Sequence, residues 1–352
     1  MVDLNWAVLT AAFLMVLYMA QAGIVLTSVL HLANVRGGTW REEVAPYAHA
    51  TAYLFPLAFL LLLALLSSPE LTFPYTGKSL HPSAWLHFPF LAAREIGMLL
   101  LVAGLSVAYV RASDRHRREQ TPASRNRLTA YASAVIVLYV LYATIVSWDF
   151  EMTLTEHWHS AIYAPYFFVS SLQMFLAFLS IAMYALRRLS GGTRGISDTG
   201  FNCLAQMMLG FTLLWTYTFF SQFLTIWYAA LPDETRRLFP LMFEHGDIRR
   251  GPSVIAPLFW SFVAMKSFSP FFMLIFSVTR HTPGVAALAA MLIFVGTFLE
   301  RFTWIADTYP GWQMPLSTLF GVALLGAVTV VVFFVLRWAF LRVAVPVTAK
   351  EH

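Results

Sequence analysis

The sequence predicts an all-α integral membrane protein of about nine transmembrane helices. Hydrophobic residues fill 59% of the 352 positions and charged residues only 12%, a balance too apolar for a soluble domain of this length. Apolar runs of about 20 residues, the length that crosses a hydrocarbon layer about 30 Å thick, recur along the whole chain. Basic residues collect in alternate connections between those runs. They form no stripe interleaved with stacking aromatics, so the formal net charge of +5 reads as membrane topology and not as a nucleic-acid interface.

The first predicted span, Trp6 to Leu32, follows a short segment without the basic region of a signal peptide and is about twice as long as a signal core. It is expected to be a retained helix. The others are Tyr47 to Leu66, Phe88 to Val110, Leu128 to Val146, Ile162 to Leu186, Phe201 to Ala230, Val254 to Val278, the short Val285 to Glu300, and Leu316 to Leu336. Arginines concentrate after the odd spans: Arg36 and Arg41, then the group from Arg111 to Arg127, then Arg187, Arg188 and Arg194, then Arg280, with Arg337 and Arg342 at the end. By the positive-inside rule the N-terminus lies outside and the C-terminus in the cytoplasm. The connections on the outer face (Glu70 to His87, Asp149 to His159, Pro232 to Gly251, Thr303 to Gln313) are longer and rich in aromatic, His and acidic residues. They are candidate docking surfaces, although Trp and Tyr at a headgroup boundary also form ordinary interfacial belts.

Cys203 is the single cysteine, which excludes an internal disulfide, covalent C-x-x-C-H haem and a cysteine-ligated cluster. Any such redox centre belongs to a partner. His31 and His49, near the inner ends of the first two spans, are the one conceivable bis-His haem pair, and interfacial hydrogen bonding is the simpler reading.

Ionisable groups within spans cost about 2.5–3.5 kcal/mol each on insertion scales and so require a partner, a hydrated cavity or a function. Lys266 lies mid-span, too deep to reach water by snorkelling, and is expected to line a hydrated path or to pair with Glu95 or Glu300. Glu300 and Arg301 end the eighth predicted span. Arg94 and Glu95 lie about two turns into the third, and being adjacent they point about 100° apart, toward different neighbours. Tyr217, Ser221, Gln222 and Thr225 make a polar stripe on the sixth span, either interhelical glue or the wall of a proton path.

The densest constellation is Asp149 and Glu151 followed by Glu156, His157, Trp158 and His159. Three carboxylates and two imidazoles interleaved with Trp suit proton acceptance from a quinol. A zinc site and a hydrated loop capping the fifth helix are the rival readings, and the Asp-x-Glu, His-x-His spacing matches no familiar zinc pattern, so no metal ligand is assigned.

The run from Ser147 to Ser160 (SWDFEMTLTEHWHS) resembles the D-W-x-M-S-L-x-P-H-W-x-S signature of the ActF-type membrane subunit of alternative complex III, a bacterial quinol:cytochrome c oxidoreductase. Trp215 to Tyr228 (WTYTFFSQFLTIWY) is similar to its F-W-A-Y-x-x-F-S-Q-F-L-x-I-W-Y stretch, and Leu231 to Thr235 to the I-P-E-E-T that follows. Gly37 to Trp40 and Pro270 to Phe272 are weaker echoes in the same order. The chain departs from the pattern at Phe150, Glu156 and Ala229-Ala230, and Lys266 stands where the family tends to have His. The wider resemblance is to the NrfD and polysulfide-reductase-like membrane subunits.

The resemblance implies two four-helix bundles, about 6–146 and 162–300, with a flanking helix at about 316–343 in a single polytopic domain of a bacterial inner membrane. It also implies cytochrome c subunits, an iron–sulfur subunit and a second NrfD-like membrane subunit as partners, which would carry the haem c and iron–sulfur clusters. The expected role is that of a non-catalytic scaffold subunit with a proton path through Lys266, Glu300, Arg94, Glu95, Tyr217, Ser221, Gln222 and Thr225. One alternative is a quinol-binding subunit using Asp149, Glu151, His157, Trp158 and His159. The other is a solute transporter, against which stands the lack of paired Gly/Pro-interrupted spans.

Overall fold

The computed structural model describes residues 3–33, 40–73, 84–155, 158–192, 194–230, 232–306 and 318–343. These residues form helices, with one isolated bridge between Phe243 and Pro252 and no other strand pairing among them. Eight of the helices are long and apolar enough to cross a membrane. This is an all-α, multi-pass membrane protein. Large apolar side chains such as Leu100, Leu141, Phe220 and Phe334 stand exposed on the outside of these helices, where lipid rather than water satisfies them.

The principal elements are α1 (Asp3–Leu32), α2 (Trp40–Leu66, carrying a 3-10 turn at Thr51–Leu54), α3 (Phe88–Glu119), α4 (Pro122–Phe150), α5 (Tyr163–Leu189) and α6 (Asp198–Ala229). After them come a short α7 (Pro232–Met242), α8 (Ala256–Val263), α9 (Ser269–Leu274), α10 (Pro283–Ala306) and α11 (Thr318–Arg342). The seventh predicted span is therefore not one continuous helix. It is α8 and α9 joined through a π-helical segment at Ala264–Phe268, and neither piece alone is long enough to cross.

Two other predicted boundaries shift for physical reasons. Apolar content places the ends of the third and fourth spans at Val110 and Leu128, but α3 and α4 continue past those limits and meet at a two-residue turn. Backbone hydrogen bonding does not stop at the edge of an apolar stretch when good caps are at hand. Gln120 takes the left-handed conformation that ends α3, and Thr121 caps α4 by accepting from the Ser124 N–H at 3.2 Å, with Pro122 in the first turn. The eighth predicted span ended at Glu300, with Arg301 at its boundary. α10 instead runs on to Ala306, with Glu300 and Arg301 inside it, because both charges find partners within the protein. The last of the expected outer connections, from Thr303, thus begins as helix, and 307–317 lies outside the described residues.

The first helix holds the molecule together. α1 is almost wholly buried and packs against α2, α4, α5, α10 and α11, whereas α3, α4, α6 and α11 each present much of their surface outward. Close approach at α2 requires Gly23, since a Cβ there would sit 2.5 Å from the Ala48 carbonyl and 2.6 Å from Thr51 Oγ1. The end at which α1 begins is called the top below. It also carries the end of α4, the start of α5 and the end of α10, brought together by the contacts around Glu151.

Candidate functional site: a buried ionic network

The π-helical segment has a cause in the sequence. Pro270 has no N–H, and in a regular α-helix its ring would collide with the carbonyl four residues earlier, which is that of Lys266. The chain widens by one residue, and the freed Lys266 carbonyl accepts instead from Gln173 Nε2 on α5 at 3.0 Å. The second N–H of that amide serves Thr212 Oγ1 on α6, also at 3.0 Å. Gly296 lets α10 close on the widened turn, where a Cβ would lie 2.8 Å from Lys266 Cγ. These features place the lysine about 15 Å below the start of α8, pointing into the protein.

There it meets a network drawn from five elements. Lys266, Glu300, Arg301 and Glu151 are all 0% exposed. Lys266 Nζ donates to Glu300 Oε2 at 2.5 Å and to Ser170 Oγ at 2.7 Å, and the same hydroxyl donates to Glu300 Oε2 at 2.8 Å. Glu300 Oε1 accepts from the Tyr166 hydroxyl and, at 3.0 Å, from Trp215 Nε1, and it lies 2.7 Å from Arg301 Nη2. Arg301 Nη1 donates to Glu151 Oε2 at 2.5 Å, and the Tyr163 hydroxyl donates to that oxygen at 2.7 Å. Two cations thus balance two carboxylates, which is the condition for keeping four charges out of water.

The rings that close the network are part of it. Lys266 Nζ lies 4.6 Å from the centre of the Trp215 ring, and Trp304 Nε1 donates to the Tyr166 hydroxyl at 3.2 Å. Arg237 from α7 comes in from the top, donating to the Trp304 carbonyl and, at 3.0 Å, to Thr155 Oγ1, with its guanidinium 4.9 Å from the Trp304 ring. The aromatic wall excludes water and so strengthens each ionic contact inside it.

A second cluster lies between α3 and α4. Arg94 pairs with Asp149, donates to the Trp85 carbonyl at 3.0 Å and stacks 3.8 Å from the Trp85 ring. Glu95 was expected to face a different neighbour, yet its buried carboxyl lies within electrostatic reach of the same Asp149, with Tyr142 and Arg94 also nearby. Helix α4 approaches the seam between the two side chains, so a 100° divergence on α3 still leads both to one aspartate. Two carboxyls and one guanidinium are neutral together when the carboxyls hold one proton between them. Arg94→Leu, which strands both carboxyls, is then expected to cost about 3 kcal/mol, and Asp149→Asn, which leaves Glu95 to balance Arg94, below about 1.5 kcal/mol, both read from thermal unfolding in detergent.

The other predicted residues fall in different places. Tyr217 is 66% exposed and Thr225 is exposed with its hydroxyl donating to the Ser221 carbonyl of its own helix, so these two face away from the network. Ser221 is half-buried, and Gln222 alone of that stripe is buried. Trp158 is buried against Tyr163 and Trp304, His159 is exposed, and Glu156 and His157 lie outside the described residues. Gly37 to Thr39 and Leu231 do as well. His31 bonds Thr129 Oγ1 at 3.1 Å and His49 packs edge-on to the Tyr109 ring. Among the described residues no three His, Cys, Asp or Glu side chains gather as a metal site.

Sequence reasoning missed Tyr163, Tyr166, Ser170, Gln173 and Arg237. The first four had a signal. They fall at i, i+3, i+7 and i+10 on α5, a polar line along one helical face. Arg237 had none, being read as one arginine of a charged loop. Compared with known proteins, the sequence matches no family model and no curated protein.

Proposed function

We propose that the chain is a non-catalytic membrane subunit of a respiratory quinol:electron-acceptor oxidoreductase, resembling the ActF-type subunit of alternative complex III, and that it carries a proton path centred on Lys266 and Glu300. The observation that supports this most is the buried, charge-balanced network. Ser170 both accepts from Lys266 and donates to Glu300, so a proton has a hydroxyl-bridged route between ammonium and carboxylate as well as a direct one. A purely structural bundle has no need of four buried charges, each expensive to insert. On this reading helices α1–α4 and α5–α10 correspond to two four-helix bundles with α11 flanking. The N-terminus faces the outside of a bacterial inner membrane, and the upper connections dock cytochrome c, iron–sulfur and sister membrane subunits that hold the haem c and clusters.

A quinol site at Asp149, Glu151, His157, Trp158 and His159 has less to support it. Both carboxylates are fully buried and committed to arginine pairs, so a quinol ring would have to displace an ion pair to reach them. A transporter finds one favourable feature in the interrupted helix α8–α9, but transporter sites pair two such helices.

The test is turnover-linked proton movement in vesicles holding the chain with its bound partners. Lys266→Met and Glu300→Gln are each expected to reduce it by about 10²-fold, the scale of a lost proton-transfer group, with electron transfer to the acceptor retained. Unchanged proton movement in both variants overturns the proton role.

A further inference from the structure

Below the network, α1 carries polar groups that the ion pairs do not use. Tyr18 is fully buried, and its hydroxyl has no hydrogen-bond partner among the described residues. It lies within electrostatic reach of Arg301, Glu151, Glu300 and Tyr139. One turn further down, on the same face of α1, Gln21 is 2% exposed, and both polar atoms of its amide lack partners among the described residues. A buried amide with neither its oxygen nor its nitrogen bonded is rare, since the group gives up its water and gains nothing in return.

The amide borders a cavity of about 10 Å³ between α1, α3 and α4, whose other polar lining comes from Ser106 and Tyr139. Val25, Val102, Leu105, Val135 and Leu138 supply its apolar lining. That space is on the order of what one water molecule requires, and a water needs two to four polar partners, which these three side chains supply. Tyr139 in turn donates to the Phe168 carbonyl at 3.2 Å and shares a hydrogen bond with Ser171, so the cavity wall continues into α5 one residue from Ser170. The polar groups therefore run from the charged network through Tyr18 and Tyr139 to Gln21 and Ser106.

We propose that Gln21 holds a single buried water between α1, α3 and α4, and that this water extends the proton path from the ionic network toward the lower half of the protein. The relay rests on the proton reading given above, whereas the water itself does not. The amide satisfies its donor and its acceptor on the water, and the water in turn reaches Ser106 and Tyr139. Tyr18 is the hydroxyl that reorients between the network and this site.

The experiment uses the full chain with its bound partners. A cryo-EM map that resolves ordered water is expected to show a peak within about 3.2 Å of the Gln21 amide in the wild type and none in Gln21→Leu, which replaces the amide by an apolar side chain of similar volume and so removes the water's donor and acceptor. Turnover-linked proton movement is expected to fall at least about tenfold in Gln21→Leu. Should that variant fail to fold, Ser106→Ala, which leaves the amide in place, is expected to lower proton movement in the same assay. A wild-type map with no peak at Gln21 overturns the water site whatever the proton data show. A peak together with wild-type proton movement in both variants overturns the relay, and if Lys266→Met still blocks protons the reading of the network stands.

Discussion

Lys266→Met is expected to destabilise the chain by about 3–5 kcal/mol, seen as an earlier thermal or SDS-induced unfolding transition in detergent. The variant keeps the volume of the stem and removes the charge. Glu300, Arg301 and Glu151 would then hold one uncompensated negative charge where all four groups are fully buried. The cost is that of the stranded carboxylate rather than the worth of the pair. The double variant Lys266→Met with Glu300→Gln restores neutrality, and its amide oxygen still accepts from Tyr166 and Trp215, so it is expected to regain about 1–3 kcal/mol relative to Lys266→Met alone. Additive losses in the double variant would mean that the lysine and glutamate do not share one charge account.

Arg301→Leu is expected to have the largest effect, about 5 kcal/mol, and to leave little folded chain in membranes. Among the described residues Arg301 is the one cation that touches both carboxylates of the network, Glu151 at the end of α4 and Glu300 on its own helix. Its loss leaves Lys266 paired with Glu300 only, strips Glu151 of its direct ion pair and frees the end of α4 from α10. Arg301→Lys tests geometry separately from charge. A point-like ammonium cannot bridge two carboxylates as a planar guanidinium does, so the lysine variant is expected to fall between leucine and wild type. Equal stability of the lysine variant and the wild type would show that only the charge matters.

The two clusters differ in how far the residues foretold them. Lys266 and Glu300 were legible because a charge in the middle of an apolar run is costly enough to demand an explanation, and the pairing with Glu300 was one of two partners named from depth alone. Arg94 was legible on the same ground, but its partner Asp149 was not, since that aspartate read as part of an exposed acidic loop. Glu151 was obscured in the same way: read with the loop, it is in fact the counter-charge of Arg301. The stripe on α6 shows the opposite error. Polar spacing singled out one face of that helix, but spacing does not say whether the face looks inward or toward lipid, and Tyr217 and Thr225 look outward. The polar line on α5 has the same kind of spacing and looks inward.

By itself the sequence determined the solvent, the secondary structure and the existence of buried charge, since each follows from composition over about 20 residues and from the energy of moving single groups out of water. Only the tertiary structure decided which charges meet. Ion pairing acts over a few ångströms, and the partners lie 34 and 150 positions apart along the chain, on helices whose rotation is set by packing around α1. The break at Ala264–Phe268 belongs to both accounts. Pro270 removes a helical hydrogen bond in any fold, although the span was read as unbroken, and the fold supplied Gln173 to replace it and the direction in which Lys266 points.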